Sequence, residues 1–169
     1  GWVRFVVHDT GPGLPPWASE RLRSTAAPFE SSGDGTGIGL ATVQRFIDEG
    51  ACVLAADIQD DAGAALEARF PDRLKYAHCD VTQPAQIRSA IDSAVAAFGG
   101  LDIVFNNAGA GGQRGGMEEM TLEGWDLTMN LLLRSVMAGT MYALPHLKAR
   151  GGGAIVNTAS ISALASGYA

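Results

Sequence analysis

Four glycines alternate with other residues at positions 33, 35, 37 and 39 in the stretch SSGDGTGIGLA, residues 31–41. Without Cβ atoms such a loop lets backbone N–H groups close on a phosphate, and the helix it opens aims its N-terminus at the same point. An acidic residue, Asp57, ends the apolar stretch ACVLAADI about 20 residues further on. A carboxylate there accepts hydrogen bonds from ribose hydroxyls and repels a 2′-phosphate. His78, Cys79 and Asp80 are adjacent, but consecutive strand residues point to opposite faces, so they cannot chelate one ion together and no metal site is expected. Arg114, in the glycine-rich run GAGGQRGGM, reads as a solvated arginine of a flexible substrate-side loop.

The elements that must hold these residues alternate between helix and strand. Apolar positions at Ile38, Leu40, Ala41, Val43, Phe46 and Ile47 have helical spacing within residues 36–49. The spacing then predicts a strand ending at Asp57, a helix over 62–70, a strand in LKYAHCDV, and a helix over 84–98 closed by Gly99 and Gly100. The strand and loop LDIVFNNAG follow, then one long helix over about 122–148 with Pro145 near its end, then a last strand in AIVNTAS. Met129, Met137 and Met141 fall at helical spacing, which suits a core or a subunit face. Alternation with continuous apolar strands predicts an α/β fold, a doubly wound parallel sheet covered on both faces. The first 30 residues differ: WVRFVV is a strand with period-two apolar positions, and a Gly/Pro-rich turn and a linker follow it.

The 169 residues are 47% hydrophobic and 18% charged, enough to bury one core. The net charge of −6 argues against a nucleic-acid partner, because no basic face answers the phosphates. No apolar run is long enough for a membrane span, so no membrane partner is expected. Two cysteines imply no disulfide framework and a reducing, cytoplasmic setting.

From Ser32 to the end the chain resembles the short-chain dehydrogenase/reductase family. The family's opening Thr-Gly-x-x-x-Gly-Ile-Gly matches residues 32–39 with Ser32 for Thr and with Gly33, Gly37, Ile38 and Gly39 in place. Its Asp-Val pair beside the adenine matches Asp80 and Val81, and its Asn-Asn-Ala-Gly matches Asn106, Asn107, Ala108 and Gly109. Its helix asparagine, which ties a water chain to the active site, matches Asn130, and the serine that holds the substrate carbonyl matches Ser160. The resemblance implies a Rossmann-type fold, NAD as cofactor with Asp57 on the ribose, hydride transfer to or from a small-molecule alcohol or ketone, and a homo-oligomer in the full-length family member, packed through the long helix. It also implies a catalytic Tyr-x-x-x-Lys about 10 to 14 residues after the serine. These residues contain none: Tyr168 is too close to Ser160 and has no lysine after it. The chain is therefore expected to be a C-terminally truncated, inactive fragment.

The segment from Val3 to Ile47 also resembles the ATP-binding domain of sensor histidine kinases. Asp9-Thr10-Gly11-Pro12-Gly13 matches that family's adenine box, Pro28-Phe29-Glu30 its short aromatic motif, and Gly35-Thr36-Gly37-Ile38-Gly39 its phosphate box. The magnesium-binding asparagine box and the phosphoacceptor helix are missing, so this resemblance implies at most an ATP-binding remnant. Residues 1–31 are thus expected to be a kinase-like segment and residues 32–169 a partial dinucleotide-binding domain. The dehydrogenase resemblance implies a central strand just before the glycine loop, between the strands ending at Asp57 and Asn106; because STAAPFES there is a poor strand, Val3–Val7 is expected to fill that slot.

Overall fold

The structure is a computed structural model that describes residues 4–8 by their backbone, and residues 38–113 and 115–160 in full. Its strands are β1 (Arg4–His8), β2 (Cys52–Asp57), β3 (Leu74–His78), β4 (Ile103–Asn106) and β5 (Ala154–Asn157). The helices are α1 (Ile38–Asp48), α2 (Asp60–Arg69), α3 (Pro84–Phe98), α4 (Leu122–Met129) and α5 (Ser135–Ala149). The strands form one sheet in the order β3-β2-β1-β4-β5 with every pairing parallel. This is the doubly wound Rossmann-type sheet expected. The N-terminal strand lies at its centre, one residue along from the expected span, with Arg4 opposite Cys52 and Phe5 opposite Ile103.

Alternation along β2 shows how the sequence covers both faces. Val53 and Ala55 pack with Val43 and Ile47 of α1, Leu66 of α2, Leu74 and Phe105. Leu54 and Ala56 pack on the other face with Ile87, Ala90, Ile91 and Ala94 of α3 and Ala138, Ala143 and Leu147 of α5. Leu54 is 1% exposed. Leu54→Ala is expected to cost about 2–5 kcal/mol, lost transfer energy plus the cavity left behind. A urea titration followed by circular dichroism checks this; an unchanged midpoint would count against Leu54 as core.

The loops follow from local chemistry. Gly99 ends α3 in the left-handed conformation (φ 76°), its N–H donating to the Val95 carbonyl. Thr121 caps α4, its hydroxyl accepting from the Gly124 N–H at 3.0 Å. The expected single helix over 122–148 is instead two α-helices joined by a π turn, Asn130–Arg134. The apolar spacing on either side is compatible with one rod, and the extra residue of a π turn leaves no mark in a spacing pattern. Met137 and Met141 are exposed, so they are not core residues of this chain. No helix among the described residues is long and apolar enough to cross a membrane.

Candidate functional site

Parallel strands bring their carboxyl ends to one edge. Asp57 lies opposite His78 and Asn106 opposite Asn157. Gly39, in the first turn of α1, is buried, and Ile38 beside it is partly exposed. Ser32, Gly33 and Gly37 lie outside the described residues, as do the kinase-like motifs at 9–13 and 28–30 and the first three residues of the one at 35–39.

Asp57 closes β2 with an Asx turn in which its Oδ1 accepts the Gln59 N–H at 3.0 Å. Burial pushes its carboxyl above the ordinary aspartate range; the amides of Gln59 and Ile58 and the nearby His78 pull the other way. A carboxylate offers about four acceptor positions and the Gln59 amide fills one, which leaves capacity for a diol. These acceptors fit the hydroxyl donors of a ribose.

Asp80 holds its own turn: Oδ1 accepts the Thr82 N–H at 2.9 Å and the Thr82 hydroxyl at 2.7 Å. Its N–H donates to Gln86 Oε1 at 2.7 Å. This fixes Val81, 6% exposed, in the wall of a small cleft completed by Ile87, Asn106, Ala108, Ser135 and Val136.

Two polar rungs lock β4 to the strand beyond it. Asn106 Nδ2 donates to Asn157 Oδ1 at 2.8 Å, and the Thr158 hydroxyl donates to Asn107 Oδ1 at 2.6 Å. Both asparagines are 7% exposed, so these bonds satisfy groups that water cannot reach. Gly139 of α5 allows the approach, since a Cβ there would overlap the Asn106 amide. Ala108 and Gly109 follow, with Gly109 close under Leu132.

Asn130 opens the π turn. Its Oδ1 accepts from Arg134 Nη1 at 3.3 Å, and its carbonyl accepts the N–H of Ser135. π turns of this kind concentrate at functional positions. Ser160 is exposed, three residues beyond β5.

In the loop after β4, expected to be flexible, Gln113 is hydrogen-bonded on both its backbone and its side chain. The Gln113 N–H donates to Thr128 Oγ1 at 3.1 Å, its Nε2 to the Glu119 carbonyl at 3.0 Å, and its Oε1 accepts the Thr121 N–H at 3.0 Å. Arg114 lies outside the described residues. Among the described residues no three His, Cys, Asp or Glu side chains gather as metal ligands. His78 instead meets Asp60 at 2.8 Å. Cys79 is buried, its thiol pushed up to about 12 chiefly by that burial, so it is no nucleophile. The cluster Tyr76–Asp60–His78 beside Asp57 escaped the sequence reading, because nothing in spacing alone joins a helix start to the neighbouring strand.

Comparison with known proteins agrees with this geometry. The family model described as enoyl-(acyl carrier protein) reductase matches residues 33–168. Momilactone A synthase of Oryza sativa subsp. japonica is 41% identical over 140 residues, 82% of this chain and 51% of that protein. The 3-alpha-(or 20-beta)-hydroxysteroid dehydrogenase of Mycobacterium tuberculosis is 40% identical over 134 residues, 79% of this chain and 51% of its own length. The chain thus spans about half the length of the curated relatives it matches. A crystal structure of a short chain dehydrogenase from Mycobacterium smegmatis superposes with a TM-score of 0.76 at 29% identity, covering 98% of this chain and 61% of that one.

Proposed function

Because the chain belongs to the short-chain dehydrogenase/reductase family, we propose that it is part of an NAD-dependent oxidoreductase that transfers hydride between nicotinamide and a small-molecule alcohol or ketone, these 169 residues being inactive by themselves. The observation that carries this is Asp57, held by the Gln59 amide at the end of β2 with acceptor capacity to spare. In this reading Asp57 takes the ribose hydroxyls, and its charge opposes a 2′-phosphate. Ser32, Gly33, Gly37, Ile38 and Gly39 form the phosphate loop and the helix entry behind it. Asp80 and Val81 border the adenine, and Asn107, Ala108 and Gly109 carry the cofactor onward along the sheet edge. Ser160 holds the substrate carbonyl, and Asn130 orders the water through which protons leave. Bound NAD supplies or accepts the hydride. The names of the relatives, a hydroxysteroid dehydrogenase among them, favour a secondary alcohol or ketone on an apolar frame.

In the same reading residues 32–169 form the dinucleotide-binding unit, with residues 1–31 lending it the central strand. The exposed apolar side chains of Leu122, Leu133, Met137 and Met141 suit a homo-oligomer. The two free thiols suit a cytoplasmic setting. The one competing occupant of the glycine loop is ATP, suggested by the kinase-like boxes. Calorimetric titration with each nucleotide separates the two. NAD is expected to bind and to resist displacement by equimolar ATP; ATP binding that NAD cannot displace would overturn the dehydrogenase reading.

A further inference from the structure

Tyr76 of β3 lies against α2 at Gly63, where a Cβ would overlap its ring. A glycine inside a helix costs about 0.5–1 kcal/mol relative to alanine; here the missing Cβ lets the ring lie flat on the helix. Laid this way, the ring carries its hydroxyl to the turn between β2 and α2. The hydroxyl stands 2.8 Å from the backbone carbonyl of Asp57 and 2.8 Å from Asp60 Oδ1, so its one proton is shared between the last residue of the strand and the first of the helix. His78 Nδ1 holds the same Asp60 oxygen at 2.8 Å from the other side. The strand end beneath is fixed too, because the Tyr76 N–H donates to Glu67 Oε2 at 2.9 Å and Lys75 Nζ donates to Glu67 Oε1 at 3.0 Å. The Asp57–Gln59 turn is thus gripped by a side chain from the next strand, outside its own sequence.

We propose that Tyr76, aligned by Gly63 and anchored through Asp60 and His78, is a positioning residue for the adenosine end of the cofactor, holding the Asp57 turn in the conformation that selects a free ribose over a 2′-phosphorylated one. This rests on the reading of Asp57 as the ribose ligand. Tyr76 itself touches no cofactor. Its effect is to keep the turn from relaxing outward, where the carboxylate would lose the diol and the space for a 2′-phosphate would open. Asp60 adds negative charge at the same corner, and the Tyr76 and His78 hydrogen bonds keep it ionised by lowering its carboxyl pKa.

The test is calorimetric binding of NAD and NADP to the purified protein and to three variants. Tyr76→Phe keeps the ring and removes the grip; the NAD-to-NADP preference is expected to fall about three- to tenfold, the scale of one neutral hydrogen bond. Asp60→Ala, at an exposed position, is expected to lower it about two- to threefold. Affinities that fall equally for both nucleotides, leaving the ratio unchanged in both variants, would mean a merely structural tyrosine and overturn the proposal. Asp57→Ala is the control. If it leaves the ratio unchanged, the reading of Asp57 fails and the positioning role falls with it. If it shifts the ratio and the other two do not, only the positioning role is lost.

Discussion

A polypeptide of these 169 residues, given NAD and a panel of secondary alcohols, is expected to form no NADH above the uncatalysed rate. Oxidising an alcohol requires a base within hydrogen-bond reach of its hydroxyl, with a pKa near the working pH. An ordinary tyrosine titrates near 10, and the family resemblance assigns a lysine and the bound cofactor to bring it down. No Tyr-x-x-x-Lys occurs among these residues, and the described tyrosines do not replace it. The Tyr76 hydroxyl is driven further up, first by burial and then by its bond to Asp60. Tyr142 lies between α3 and α5, its ring centre 4.6 Å from the Arg88 guanidinium carbon. The expected shortfall is therefore the roughly 10²–10⁴-fold that general acid–base catalysis supplies. Steady NADH production, followed by absorbance over many turnovers, would refute this; stoichiometric NAD binding without turnover would agree with it.

Asp57→Ala is expected to narrow the preference for NAD over NADP by on the order of ten- to a hundredfold. That range corresponds to about 1.5–3 kcal/mol, a hydrogen bond to a charged group. Two effects add. The ribose diol loses an acceptor already oriented by the Gln59 amide, and a 2′-phosphate loses an opposing charge. Asp57→Asn separates them, since it keeps an acceptor while removing the charge. Titration of the unmutated chain with both nucleotides is the measurement, and equal affinities there would remove Asp57 from the site.

The sequence made the sheet legible because burial on both faces leaves a plain mark. The apolar run at 52–56 allows no amphipathic helix, and Asp57 ends it where the strand ends. The helix over 84–98 was legible for the complementary reason, with Pro84 at its start and Gly99 just past its end. Even the central strand could be assigned, from the weakness of STAAPFES as much as from the strength of WVRFVV. Features that depend on two distant residues meeting were not legible. The Gln113 amide fastens a glycine-rich loop to Thr128 across an intervening turn, and its sequence neighbours suggest only mobility. Gly63 looks like an unfavourable helix residue until the Tyr76 ring is seen beside it. The π turn at Asn130 shifts side chains by one position in a segment whose apolar residues are too many to fix a phase.

The position of β1 has a kinetic consequence. A strand at residues 4–8 that pairs with Cys52 on one side and Ile103 on the other must wait for two distant segments to assume their places. Each closure costs entropy before any contact repays it, and such non-local pairing slows folding. Meanwhile α2, α3 and their strands can assemble from shorter separations, leaving β2 and β4 with unpaired inner edges and a gap of one strand between them. Those edges are templates for another chain's strand. During refolding the ordering of β1 is the step at which concentration matters: dilute chains insert their own strand, and crowded ones accept a neighbour's.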